Sequence, residues 1–493
     1  MPEIQMTQKT WRERTEARIG KELRDRHPDL QPLLDLIEYR MEDVDAADDY
    51  RYGLSRLFLF DTLYGKKGST RAIAGLISPA LWILSKLRHR KTPKADPRLA
   101  FSNTFLLSAR YPAAREQIEN ETGCTAILTF SDMLKREAKS QQILLRDSLY
   151  LQTWHRRPIY FKGRSICGGA LEKAVIRYCG AVYNPAAAAA EKTEERIEQA
   201  LGELERVYSS RISKIGKCLR KEGCSLYFTV NQYNLRDVMI MHACRNLGIR
   251  TFQQEHHAMQ FCRVQFDEND PCPRLAFAQE FGFWTRSDQL FHEKIYRYES
   301  PLYRAEEIRF RVTGNPEMSY EQAVRAQEQV PPERKLTFMI AALPDAEIEE
   351  AGERYAEWRW EVFRGLRELA ERQHVLINIR YTPNAETAFR EKEVPVLKEW
   401  GFAISESVPG NLMEDLCSSA AIMSSVSSVL CTARMFGKLT FRVSEWELTY
   451  VHVDDEIHEV TPAEIPDIIL PEGIEKTLPG IDPEAAFSIK AVL

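Results

Sequence analysis

Residues 336–380 read "LTFMIAALPDAEIEEAGERYAEWRWEVFRGLRELAERQHVLINIR". The run opens on an unbroken apolar stretch, Leu336 to Leu343, and closes on another, His374 to Arg380. Between them, from Asp345 to Gln373, apolar residues return three or four positions apart, the period of a helix. A strand that stays apolar without alternating is covered on both faces, so this strand, helix, strand unit implies a parallel sheet. The pattern continues downstream: Ala385 to Trp400 reads as helix, "FAIS" as strand and "NLMEDLCSS" as a short helix. Ala420 to Ser424 is then a strand, "VLCTARMFG" a helix closed by Gly437, and "KLTFRV" a last strand. Five strands alternating with four helices predict a doubly wound α/β domain, whose ligands bind outside the carboxyl ends of the strands.

Working upstream, "IRFRVTGNP" gives a strand ending at Thr313, Gly314, Asn315 and Pro316, separated from this series by a polar stretch. Earlier still, a helix beginning at Pro185 carries Ile197, Leu201, Leu204, Tyr208, Ile212, Ile215 and Leu219 as one apolar stripe and stops at Gly223. The strand "CSLYFTV", a helix over Leu235 to Asn246 and the strand "RTFQQ" follow, so this half also reads as βα units. Leu99 to Leu107 is read as its first core strand. The first hundred residues read as helix. The predicted organisation is a helical, basic extension over 1–97, one Rossmann-like domain over 98–330 and a second, with a tail, over 331–493.

A chain of 493 residues exceeds what one core usually covers, which agrees with more than one domain. Hydrophobic residues make up 44% and charged residues 28%, which excludes a disordered polymer, and a net charge of -5 gives no reason to expect nucleic acid as a partner. Ten cysteines without a CxxC pair read as reduced thiols. No uncharged apolar run approaches the ~18 residues of a spanning helix, and the polar start of the chain lacks the apolar core of a signal peptide. The expectation is a cytoplasmic protein. One island departs from the acidic balance: residues 62–95 carry eight Lys or Arg and no acid around an apolar centre holding Trp82. Such a segment either buries as a helix with a solvated basic end or lies on an anionic membrane surface at the inner face of the cytoplasmic membrane.

The predicted strand ends are polar. They carry Glu255, His256 and His257; Gly314 and Asn315; Arg380 and Thr382; and Ser424, Ser425, Ser427 and Ser428. Hydroxyls and free N–H groups where a strand turns into a helix suit a phosphate, although serine is also a favoured helix cap without any ligand. A guanidinium in the same half, Arg380, grips a second phosphate oxygen as a fork or makes a salt bridge. Adjacent side chains on a strand point to opposite faces, so only one of His256 and His257 faces a cleft. Imidazole near neutral pH suits the base or acid of a transfer reaction, and Glu255 either orients it or serves as base itself. The pair alone lacks the further ligands a metal needs, so no metal is expected.

In order along residues 224–445, four stretches resemble the GT-B bacterial surface-polysaccharide enzymes, the group of capsule glycosyltransferases, polysialyltransferases and CDP-glycerol glycerophosphotransferases. "GIRTFQQEHH" is similar to the group's Gly-Ile-Pro…Gln-His-Gly step, "VTGNP" to its Gly-containing strand and "NIRYTP" to its Arg-x-His-Pro step. "LCSSAAIMSSVSSVLCTARMFGKLTF" is similar to its Ser-rich loop, helix and Gly-Lys-Pro turn. Three departures stand out: no Gly follows the histidines, Thr382 replaces a histidine and Thr432 replaces a frequent acid. The resemblance implies two Rossmann-like domains facing a cleft and a nucleotide-sugar substrate with no separate cofactor. It implies transfer to a glycan or lipid-linked acceptor, with His256 as the group facing the cleft and His257 packed or touching acceptor. A polyol-phosphate transferase, a nucleotide-sugar epimerase and a non-catalytic assembly subunit of the same fold are the alternatives.

Overall fold

The computed structural model describes residues 11–42, 99–101, 125–128, 159–160, 169–183, 193–230, 233–255, 272–316, 320–330, 333–340, 345–381, 389–406, 412–425, 427, 429–444, 457–470, 472 and 486–492. The basic island at 62–95, both histidines of the pair, Thr382 and Ser428 lie outside the described residues, as do positions 102–107 of the expected first strand.

The chain builds two parallel sheets, and the fold class is α/β with two Rossmann-like doubly wound domains. In the first sheet, β1 (Leu99–Phe101), β2 (Thr125–Leu128), β3 (Ile159–Tyr160), β4 (Leu226–Thr229), β5 (Arg250–Gln254), β7 (Glu280–Phe283) and β9 (Arg309–Val312) stand in the order β3-β2-β1-β4-β5-β7-β9. Two further strands, β6 (Cys272–Leu275) and β8 (Tyr296–Glu299), pair with each other. The second sheet holds β10 (Lys335–Ile340), β11 (Leu376–Tyr381), β12 (Ala403–Glu406), β13 (Ala421–Ser424), β14 (Leu439–Val443) and β15 (His458–Val460), ordered β12-β11-β10-β13-β14-β15. All pairings are parallel. That order runs 3-2-1-4-5-6 within the domain, with its reversal between β10 and β13, the crevice where such sheets take ligands.

The predicted strands of the second series fall within a few residues of those observed; β15, three residues with two polar side chains, carries no apolar signal and was not expected. The expected stripe on the long helix is real: all seven of its residues are buried. The helices, in chain order, are α1 (Trp11–Ile19), α2 (Lys21–Asp25), α3 (Gln31–Glu42), α4 (Ala170–Val182), α5 (Thr193–Glu222) and α6 (Leu235–Arg245). There follow α7 (Arg286–Ile295), α8 (Tyr320–Gln329), α9 (Asp345–Gln373), α10 (Val394–Glu399), α11 (Leu412–Ser418) and α12 (Val429–Met435).

Two boundaries drawn from the sequence do not follow the packing. Helices α1 to α3 bury Trp11, Leu23, Leu30, Leu33, Leu34, Leu36 and Ile37 in the same core as α4, α5 and α6. Across the seam Arg26 pairs with Glu198 at 2.5 Å, and His27 Nδ1 lies 2.8 Å from Glu205 Oε2. Likewise α8, placed by sequence at the end of the first domain, sends Ala323 into a cluster with Leu416, Ile422 and Leu430 of the second.

The long-helix seam holds a buried imidazole. His242 lies 3.1 Å from the Tyr208 hydroxyl, and burial brings its pKa down to about 4. A folded-state pKa below the ordinary 6.5 means that stability is complete above 6.5 and is lost as pH falls toward 4, because the unfolded chain binds the proton more readily. Replacing the ring with His242→Gln should therefore flatten the loss of stability between pH 7.5 and pH 5, by roughly 2 kcal/mol in urea unfolding. Parallel stability profiles for variant and parent would show that this imidazole does not set the acid limit.

Candidate functional site

The carboxyl edge of the first sheet is tied together by buried polar groups. Gln254, at the end of β5, accepts from the Thr313 hydroxyl at 2.6 Å and donates toward the carbonyls of Gly282 and Gly314. No side chain fits at Gly282, where a Cβ would lie 2.6 Å from Gln254 Oε1. One residue on, Glu255 is 2% exposed. Its Oε1 accepts from Gln253 Nε2 and Arg274 Nη2, each at 2.9 Å, and its carbonyl accepts from Trp284 Nε1 at 2.8 Å.

Arg274 is held on every side. Its Nη1 donates to His292 Nδ1 at 2.7 Å, its Nε reaches the Tyr233 hydroxyl at 3.3 Å, and the rings of Tyr296 and Tyr298 flank it at 5.1 and 5.6 Å. Burial opposes the guanidinium charge, but Glu255 and the surrounding tyrosines outweigh it and raise its pKa. Burial and then Arg274 drive the His292 pKa far below the usual imidazole range, so the ring is neutral. Since Nδ1 accepts, the proton sits on Nε2. Glu255 is thus an anchor for the strand end that leads into His256 and His257.

In the second sheet, pairing sets Ser405, Arg380, Met339, Ser424 and Arg442 in one row across five strands. Residues in register on parallel strands share a face, and here that face is covered by α11. Arg380 is buried and pairs with Asp415 of that helix, which also accepts from Ser405 at 3.0 Å and Asn378 at 3.2 Å. The guanidinium expected to grip phosphate is turned toward a carboxylate of its own domain. Ser424 donates to the Met339 carbonyl at 2.8 Å, and Ser427 accepts from the Val429 N–H at 3.2 Å, the capping role serine takes at helix starts. Ser425 is buried.

The two edges meet at α12. Asn315, just past β9, donates to the Thr432 hydroxyl at 3.2 Å, and Trp284, just past β7, shares one apolar cluster with Val429, Leu430 and Cys431. Gly314 has φ +79° and a Cβ there would lie 2.0 Å from the Ala486 carbonyl oxygen, so the returning C-terminal segment crosses directly over it. From Phe487 onward that segment lies on the first domain: Ser488 donates to the Thr313 carbonyl at 2.8 Å, Phe487 packs edge-on to Phe228, and Arg250 donates to the Val492 carbonyl at 3.0 Å.

Sequence reasoning passed over residues 272–299 as irregular, and so missed Arg274, Trp284 and His292. A signal was present: Thr285 three residues before Asp288 is a helix-start pattern, and the Thr285 hydroxyl does accept from the Asp288 N–H at 3.1 Å. Asp415, on a short helix, carried no such mark.

No protein-family model matches the chain, and no curated protein matches it. Among solved structures, the UDP-N-acetylglucosamine 2-epimerase of Neisseria meningitidis bound to UDP-GlcNAc aligns with a TM-score of 0.43 and 11% identity, over 79% of this chain and 95% of that one. The UDP-GlcNAc 2-epimerase of Methanocaldococcus jannaschii aligns with a TM-score of 0.40 and 13% identity, over 79% and 97%. MurG of Acinetobacter baumannii aligns with a TM-score of 0.32 and 11% identity, over 77% and 88%. At these TM-scores the likenesses add nothing to the sheet order and the meeting of the two edges.

Removing one partner of a buried ion pair leaves an uncompensated charge. Arg274→Met should therefore cost about 3–5 kcal/mol, and adding Glu255→Leu should recover most of it. A double variant no more stable than Arg274→Met in denaturant unfolding would mean that Glu255 does not depend on Arg274.

Proposed function

We propose that this chain is a glycosyltransferase that moves a sugar from a nucleotide-activated donor to a growing surface glycan or lipid-linked acceptor. The observation that carries the reading is the meeting of the two carboxyl edges, Asn315 on Thr432 and Trp284 against the start of α12. It brings the strand end that leads into the histidine pair to the same junction as the Ser-rich loop of the second domain. The order of the motifs along 224–445 supports the same reading.

In this mechanism His256 takes the acceptor hydroxyl proton as the nucleophilic oxygen attacks the anomeric carbon, and the bond to the leaving diphosphate breaks. Anchored by Arg274, Glu255 fixes the segment that carries the imidazole. The hydroxyl of Ser425, with Ser427, Ser428 and the loop N–H groups, receives the diphosphate charge. Arg380 contributes by holding Asp415 and with it the helix under the loop, and Gly314 and Asn315 set the spacing between the domains.

His256→Ala should slow sugar transfer by ~10²- to 10⁴-fold with little change in nucleotide affinity, and His257→Ala should do less. Product analysis with a panel of nucleotide sugars decides the reaction: a new glycosidic bond supports transfer, whereas a donor returned with one inverted centre marks an epimerase. If neither histidine variant slows turnover, the strand end of β5 is not the reacting centre.

The basic island at 62–95 brings the enzyme to anionic membrane in this reading, at on the order of 1 kcal/mol per cation near the surface. Liposome flotation should show binding to anionic vesicles that fades as salt rises. Equal recovery with neutral vesicles would exclude an electrostatic anchor.

A further inference from the structure

The amino-terminal helices end beside the loop that follows β4, and they grip one residue of it. Tyr233 stands just before Asn234, the cap of α6, whose side chain accepts from the Asp237 N–H at 2.8 Å, so the helix start fixes its backbone from one side. From the other side Arg40, in the last turn of α3, donates to the Tyr233 carbonyl from Nε at 3.0 Å and again from Nη2. Tyr39, the residue before it, lays its ring on the Tyr233 ring at 4.6 Å with 25° between the planes. Both the carbonyl and the ring of Tyr233 are therefore held by α3.

The far end of the ring reaches β6. A phenol hydroxyl both donates and accepts, and Tyr233 uses both capacities on neighbouring residues. It donates to the Leu275 carbonyl at 2.9 Å and accepts from Arg274 Nε at 3.3 Å. One oxygen thus bridges the backbone of β6 and the guanidinium that projects from it. The two remaining nitrogens of that guanidinium bond His292 and Glu255. Because the group is planar and rigid, holding Nε sets the direction in which Nη2 meets Glu255. Packing against Tyr39 alone would be met by phenylalanine; the hydroxyl adds the hold on Arg274. Coupling between separated parts of a protein travels through packed and hydrogen-bonded series of this kind.

We infer that Tyr233 is a positioning residue for the reaction, through which α3 sets the direction of Arg274 and so the place of Glu255 and of the strand end that leads into His256. The amino-terminal helices then act on the reacting centre without touching substrate. The effect on the reaction rests on the transferase reading; the mechanical link from α3 to Glu255 does not.

Trp284 supplies a reporter that needs no substrate, since its indole N–H donates to the Glu255 carbonyl at 2.8 Å. In the full chain with ¹⁵N-labelled tryptophan, its indole signal, assigned through Trp284→Phe, is compared among variants. Tyr233→Phe keeps the ring and removes the hydroxyl, Arg40→Gln weakens the grip of α3, and Arg26→Gln breaks the pair with Glu198 on the same helices but off this series. The first two should shift the Trp284 signal and speed its hydrogen exchange by roughly tenfold, the order of one hydrogen bond, and the third should do neither. Exchange of the β5 amides, followed by mass spectrometry, reads the same strand end without an assignment. With a nucleotide sugar that the chain turns over, kcat should fall about tenfold in Tyr233→Phe and in Arg40→Gln while the donor KM holds. The double variant should be no slower than the slower single one, because the two act in series. A Trp284 signal unmoved by Tyr233→Phe, or moved by it and not by Arg40→Gln, overturns the link; so does faster exchange at all eight tryptophans together, the mark of lost global stability. Multiplied losses of kcat in the double variant, or an unchanged kcat beside a moved signal, overturn the positioning role. If the parent turns over no nucleotide sugar while the signal moves as expected, the transferase reading falls and the link from α3 to Glu255 stands.

Discussion

The pairing of Glu255 with Arg274 is the constraint on which the carboxyl edge of the first sheet depends. It joins the end of the central strand β5 to β6, and through His292 and the tyrosine rings to α7 and β8. Tyr233, which touches Arg274 from the loop after β4, stacks on Tyr39 of α3 at 4.6 Å. The amino-terminal helices are therefore coupled to the strand end through two rings and one guanidinium. Replacing such a pair by apolar residues is often neutral or stabilising, so its presence is weak evidence of stability and better evidence of fixed geometry. A hydrophobic plug would leave the backbone after Gln254 free to choose its exit direction; a guanidinium with partners on several elements does not.

The second constraint lies between the domains. Gly314 is left-handed, and the chain from 486 onward passes so close that a methyl group would meet backbone. Ala486 stands in one apolar cluster with second-domain residues while Phe487 sits on Phe228 of the first sheet, so one short segment touches both bodies. Backbone contact of this kind tolerates rotation about a few residues but not separation. The meeting of Asn315 with Thr432 then sets how near the two carboxyl edges rest.

How much of this was legible follows from where the signals lie. Parallel strands buried on both faces announce themselves as apolar runs, and Leu336 to Ile340 and Ala421 to Ser424 were found for that reason. The stripe on α5 was equally plain, since a 30-residue helix repeats its pattern many times. Short elements that depend on tertiary contact were not: β6 and β8 consist of four residues each, and their polar side chains belong to a buried network that looks in sequence like a loop. Polar residues at strand ends were legible as a set, but not their direction. Arg380 and Ser424 point from the sheet face under α11, and only the register across five strands reveals it.

Thr432 shows what such a face means for the departures from the family pattern. The position is 4% exposed, and among the described residues its hydroxyl accepts from one amide, that of Asn315. A carboxylate there would be ionised in a dry setting with one neutral donor, and burying a charge so poorly matched costs several kcal/mol. A hydroxyl satisfies the same amide with no charge to desolvate. With this packing of Asn315, threonine is the side chain that lets the first domain rest on α12. Ser425, also buried, stands one residue past β13 at the reversal of strand order between β10 and β13, the place where sheets of this order take ligands.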